Sequence, residues 1–179
     1  MTDQINTLTE TAKSNFQKNQ FHEAAEGFKT CVELLQTTGS PLEVAEMRNN
    51  LSVSLLRCSE PKAALEAVLG TEETFAEAGD KQKQGMALAN TASAYEALKD
   101  YESAAKAYQG AIDCFKESGD KKLRSITLRS LSDLQLKTGN QYVALATLQA
   151  SYNEKPQATF KDKFFASALG RVINKLLGH

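Results

Sequence analysis

The sequence predicts an all-α protein of four helical hairpins, each 40 residues long, and a closing helix. Three observations predict it. Ala, Leu, Glu, Lys and Gln make up nearly half of the chain, against three prolines, ten glycines and no tryptophan, and these residues lose little rotamer freedom in a helix. Gly39, Gly79 and Gly119 stand 40 residues apart, each followed by a small polar residue, Ser40, Asp80 or Asp120. Side-chain size recurs with the same period, which in a helical chain signals stacked repeats.

The units run over about 5–44, 45–84, 85–124 and 125–155, within a single domain spanning 1–179. Each reads as a first helix, a tight turn and a second helix. A left-handed glycine ends a hairpin and the polar residue after it caps the next. Ser40, Pro41 and Glu43 form a capping-box pattern with proline at the first helical position. Turns within the hairpins are expected near Asn19-Gln20, Ser59-Glu60, Lys99-Asp100 and Gly139-Asn140, and Pro61 suits the start of a second helix.

Four columns carry the packing. Ala12, Ser52, Ala92 and Ser132 are small, as are Ala24, Ala64, Ala104 and Ala144. Four residues further on, Phe28, Val68, Tyr108 and Leu148 are large; three beyond those, Cys31, Thr71, Ala111 and Ser151 are small again. Small residues let two helix axes approach closely, and the large one on the same face fills the space beside them. After Asn153-Glu154-Lys155-Pro156 a last helix is expected over about 160–177. Phe164, Phe165, Ala168, Leu169, Val172, Ile173, Leu176 and Leu177 give it an apolar face, opposite Lys161, Lys163, Arg171 and Lys175. Its expected role is to cap the exposed side of the last hairpin, the alternative being a dimer contact or a helix lying on a membrane surface.

Basic and acidic residues balance, 21 against 22, which leaves no field to attract nucleic acid. No run of about 18 apolar residues could span a bilayer. The N-terminal residues lack a signal pattern, and three widely spaced cysteines suggest neither disulfides nor zinc, so a cytoplasmic setting is expected. No phosphate-binding glycine motif occurs, His22 and His179 have no partner in the sequence, and Glu72-Glu73 reads as a solvated helix face. No cofactor, metal or catalytic residue is expected.

The columns resemble the tetratricopeptide repeat over about residues 5–155, best in the third unit with Leu88, Ala92, Tyr95, Ala104, Tyr108 and Ala111. The departures are a 40-residue period like that of long-repeat members, no terminal proline, and Arg48 where the other units have Leu8, Leu88 and Leu128. The resemblance implies a right-handed superhelix whose first helices line a concave groove for a peptide or helix of a partner protein. The groove residues it implies are Asn49, Asn50, Val53 and Arg57; Met86, Asn90 and Ser93; and Ile126, Arg129, Asp133 and Lys137, with Asn6, Thr9, Glu10, Lys13 and Gln17 at the equivalent positions of the first unit. Asn50 and Asn90 are suited to grip a peptide backbone, because an amide both donates and accepts. The family's carboxylate clamp for chaperone tails matches here only at Asn50 or Asn90, so such tails are not expected to bind. The implied function is a protein-binding scaffold; a module that self-associates through its last helix, or a peptide sensor, is the alternative.

Overall fold

The computed structural model describes residues 2–177, and the side chains of residues 3–175. The first hairpin is α1 (Thr2–Gln17) and α2 (Phe21–Thr38). The second is α3 (Pro41–Arg57) followed by two shorter helices, α4 (Pro61–Val68) and α5 (Thr71–Glu77). The third is α6 (Lys81–Ala97) and α7 (Tyr101–Glu117), and the fourth α8 (Lys121–Lys137) and α9 (Gln141–Glu154), with α10 (Phe160–Leu177) last. Each hairpin packs on the next, making an all-α solenoid.

The turns follow local chemistry. Ser40 caps α3 through a complete capping box with Glu43, and Pro41 opens the helix. Asp80, Asp100 and Asp120 cap α6, α7 and α8 by accepting from the backbone N–H three residues on. Gly79 and Gly119 are left-handed as expected, and Asn19, Ser59, Lys99 and Gly139 take the same conformation inside the hairpins. Gly39 differs: its φ is −96°. Glycine is needed there for space, since a Cβ would lie 2.9 Å from the Leu35 carbonyl oxygen.

The second unit departs from the expected single second helix. The chain leaves the helix at Leu69, and Gly70 is left-handed with φ 83°. Arg48 accounts for the end of α4: its guanidinium donates to the carbonyl oxygens of Glu66 at 3.1 Å and Leu69 at 2.9 Å. The residue that breaks the apolar column thus closes a helix terminus, whose last carbonyls otherwise lack donors.

All four alanines of the second small column are buried, Ala24, Ala64, Ala104 and Ala144, and so are Ala12, Ser52, Ala92 and Ser132. Around them lie an N-terminal cluster with Phe28, Val32, Leu35 and Met47, and a central one with Tyr108, Ile112, Leu128, Leu131 and Leu134.

The last helix packs on α9, but Phe160, Phe164, Phe165 and Val172 stay exposed. Ala166 and Asp162 are the buried residues instead. The Leu176 and Leu177 side chains and His179 lie outside the described residues. Thr159 and Asp162 form a reciprocal cap at the start of α10, and Lys155 donates to Asp162 at 2.8 Å. The Lys155 ammonium and the Thr159 hydroxyl hold this carboxyl at about 2, below the ordinary 3.8. A depressed carboxylate stabilises the fold above its unfolded value and loses that effect as pH falls through its folded one. The expected result is that α10 amide resonances shift between pH 3.8 and about 2. Asp162→Asn should give the low-pH pattern at neutral pH; identical spectra for the two proteins would remove Asp162 as the anchor.

Candidate functional site

The first helices α1, α3, α6 and α8 carry the expected groove residues, and the structure sorts them into three groups. Some open onto cavities. Asn50 and Val53 on α3 line a cavity of about 210 Å³ with Lys13, Phe16 and Gln17 of α1 and Phe28 of α2. Three apolar side chains form its floor, with two amides and an ammonium beside them. Ile126 and Arg129 on α8 line a larger one, about 530 Å³, with Leu148 and Tyr152 of α9. Met86 and Asp133 are exposed and line neither.

A second group is engaged within the protein. The Lys137 ammonium on α8 binds Glu96 on α6, and Lys83 on α6 binds Glu46 on α3, so cations tie α8 to α6 and α6 to α3. The Ser93 hydroxyl donates to the Ala89 carbonyl and lies 3.4 Å from the Tyr108 hydroxyl, which donates to Glu96 at 3.0 Å. Burial first, then the Glu96 charge, pushes the Tyr108 hydroxyl up to about 12, so it remains a donor throughout the physiological range. The Arg57 guanidinium sits 5.5 Å from the centre of the Phe21 ring, a cation–π contact.

The third group corrects an expectation. Asn49 is buried between hairpins rather than facing the open side. Its amide donates to the Ala45 carbonyl and the Thr71 hydroxyl, each at 3.0 Å, and its oxygen accepts from Asn90 at 3.0 Å. Asn90, half-buried, is thereby committed to joining α3 and α6. Of the two asparagines singled out as backbone grips, Asn50 lines a cavity and Asn90 fastens a junction.

Over residues 2–174 the chain matches the family described as soluble NSF attachment protein, SNAP. It belongs to the SNAP family. No curated protein is detectably similar to it. Among solved structures it is similar to the apo form of RapI, with TM-score 0.75 and 18% identity over 93% of this chain and 57% of that one. The chain therefore spans little more than half of RapI. A Podosopora anserina protein of kinesin light chain type, built of nearly identical TPR-like repeats, has TM-score 0.67 and 12% identity, covering 98% of this chain and 97% of its own. BtubC (BKLC) from P. vanneervenii has TM-score 0.63 and 14% identity over 97% of this chain and 80% of its own. At such identities the likeness is one of fold: a TPR-like helical repeat.

Sequence reasoning missed part of what this SNAP-family chain exposes. Phe28, a packing residue in the sequence pattern, is buried and also borders the smaller cavity, as does Phe16, which the columns do not single out. Lys122 and Lys155 border the larger one. The signal for Lys155 lay in a fifth column, where the equivalent residues are Leu35, Phe75 and Phe115. Glu72, expected on a solvated face, is half-buried, and burial pushes its carboxyl up.

His22, Cys58 and Glu60 meet where α2 begins beside the turn after α3, their donor atoms within 4.8 Å of one another. Burial first, then Glu60 and Glu23, raises the Cys58 thiol. A zinc ion holds nitrogen, sulfur and oxygen donors at about 2.0–2.3 Å, and neighbouring groups that fix ligand orientation contribute much of its affinity. His22 and Glu60 are exposed, and no side-chain hydrogen bond among the described residues orients either of them. The trio is a loose set of donors rather than a formed metal centre.

Proposed function

We propose that this SNAP-family chain is a non-catalytic attachment module that holds a segment of a partner protein against its first helices. The carrying observation is the cavity between α1 and α3, with Phe16, Phe28 and Val53 below and Asn50 and Lys13 at its edge. An apolar floor with few polar groups at the rim binds a side chain and orients the backbone that carries it. A preformed solenoid surface lowers the ordering cost of such binding. The family's name, attachment protein, agrees with this reading.

The test is capture from the native cell by immobilised chain, comparing wild type with Val53→Asp. A charge in the floor should lower recovery of the captured partner by about tenfold or more while far-ultraviolet circular dichroism is unchanged. Equal recovery by both proteins would move the interface off this face.

A second reading has its own support. Phe160, Phe164, Phe165 and Val172 expose apolar surface on α10, with Phe165 stacked on Tyr152 at 6.2 Å between ring centres. Such a patch fits self-association. Sedimentation would then show a dimer in wild type and a monomer in Phe164→Asp/Phe165→Asp, whereas a monomer in both would exclude it.

A further inference from the structure

The side of α10 that docks is not its aromatic side. Asp162 and Ala166 are buried and Leu169 and Ile173 half-buried, and these four form the face turned to α9. At about 100° per residue, Phe160, Lys161, Arg171 and Lys175 lie within about 60° of Phe164 around the helix, pointing away from that face. Val172 and Phe165 border them. Phe160 is 84% exposed and Phe164 55%. Aromatics and cations thus share one outward surface, where the sequence pattern sets them on opposite sides.

The charge of this surface has one sign. Lys161, Lys163, Arg171 and Lys175 are exposed, and among the described residues none of them has an ion-pair partner. The helix has a single acid, Asp162, which is buried and bound by Lys155. The chain as a whole carries a formal charge of −1, so outside α10 it is net acidic. The surface is also convex. The cavities that α9 borders, one shared with α8 and one with α10, include none of Phe160, Phe164, Arg171 and Lys175.

We propose that the outward face of α10 lies on the surface of an anionic lipid bilayer, with Phe160 and Phe164 at the boundary of headgroups and acyl chains and the cations among the headgroups. A helix of this kind binds through its buried apolar area together with attraction to anionic lipids. Long cationic side chains keep their stems on apolar surface and extend their heads to the charged layer. A planar bilayer needs no groove to receive a convex helix. A second copy of this chain fits poorly, since it would bring four cations against four. No described helix is long and apolar enough to cross a membrane, so α10 lies in the plane of the surface. The acidic remainder of the chain is repelled by the same lipids, which makes α10 the leading edge of the approach. The inference goes beyond the attachment reading and does not depend on it, because it concerns a different face.

The test is co-sedimentation of the full chain with vesicles of phosphatidylcholine, alone or mixed with phosphatidylserine. The chain should pellet with the mixed vesicles, less so as salt rises, and stay in solution with the neutral ones. Phe160→Ser/Phe164→Ser and Arg171→Glu/Lys175→Glu should each lower the partition coefficient by about tenfold or more. All four side chains are exposed, so both variants keep their fold, which far-ultraviolet circular dichroism checks. The chain has no tryptophan, so Phe164→Trp provides a single reporter, whose emission should shift to the blue on the mixed vesicles. No pelleting with mixed vesicles, undiminished binding by either double variant, or an unshifted emission would overturn the proposal. Soluble polyglutamate or a single-stranded oligonucleotide binding as tightly as the vesicles would assign the face to a polyanion and overturn it as well. So would a wild-type dimer that Phe160→Ser/Phe164→Ser dissolves, without any vesicle binding. Val53→Asp should leave vesicle binding unchanged. If it abolishes cellular capture while the wild type binds no vesicles, this face fails and the attachment reading stands.

Discussion

Replacing Phe115 with alanine is expected to lower the unfolding free energy by about 3–5 kcal/mol. The ring is 1% exposed, near the C-terminal end of α7. It lies against the backbone of α6 itself: a Cβ built on Gly85 would be 2.8 Å from Phe115 Cε1 and 3.0 Å from Cδ1. A side chain lining a new cavity can rotate into it, but a helix backbone can follow only by moving as a unit. The gap should therefore stay open, which places the loss high in the range for truncations of this kind. Urea unfolding should show the midpoint falling with the slope unchanged, as for a loss confined to the native state. Repeat arrays sometimes unfold in pieces; in that case the loss belongs to the phase that reports α6 to α8. The same column provides the contrast. Lys155→Ala removes a partly exposed pair with Asp162, worth about 1 kcal/mol or less. A loss below about 1 kcal/mol for Phe115→Ala would mean the ring is not the wedge that sets the spacing of α6 and α7.

That contrast shows which parts of the protein were legible from its residues. Local signals carried through: the Ser40 capping box, the aspartate caps and the left-handed Gly79 and Gly119 are decided by a few neighbouring residues. The alanine columns carried through as well, since a close crossing admits little else. The break between α4 and α5 did not, because it joins Gly70 to a long-range contact from Arg48, a residue that in the columns reads only as an exception. The closing helix has the expected apolar residues, but it packs chiefly on α9, and the aromatic part of its face remains in solvent. Its docking depends on Lys155, Thr159 and Asp162, short-range polar contacts that periodicity does not encode. At the groove, residue type indicated what each side chain could do and left open whether it was already engaged. Lys137 and Ser93 have the chemistry of ligand-binding groups, and the structure uses them on Glu96 and Tyr108.

Asn49 and Asn50 bring this distinction to two adjacent positions with one side chain. They point about 100° apart around α3, which separates a buried joint from a cavity wall. Asn49→Ala is expected to cost about 1–3 kcal/mol, because it strips the acceptor from a half-buried Asn90 amide and the donor from the Thr71 hydroxyl. Asn50→Ala should stay within about 0.5 kcal/mol, as substitutions outside such networks do, and should weaken partner capture. Asn90→Ala alone is ambiguous, since it leaves the buried Asn49 oxygen without its donor and so loses stability whatever the groove binds. The double-mutant cycle of Asn49 and Asn90 resolves it: two groups that bond each other should show a coupling of about 0.5–3 kcal/mol in urea unfolding. A coupling near zero would mean that the Asn49–Asn90 bond contributes nothing to the α3–α6 junction, and Asn90 would then return to the set of residues available for a ligand.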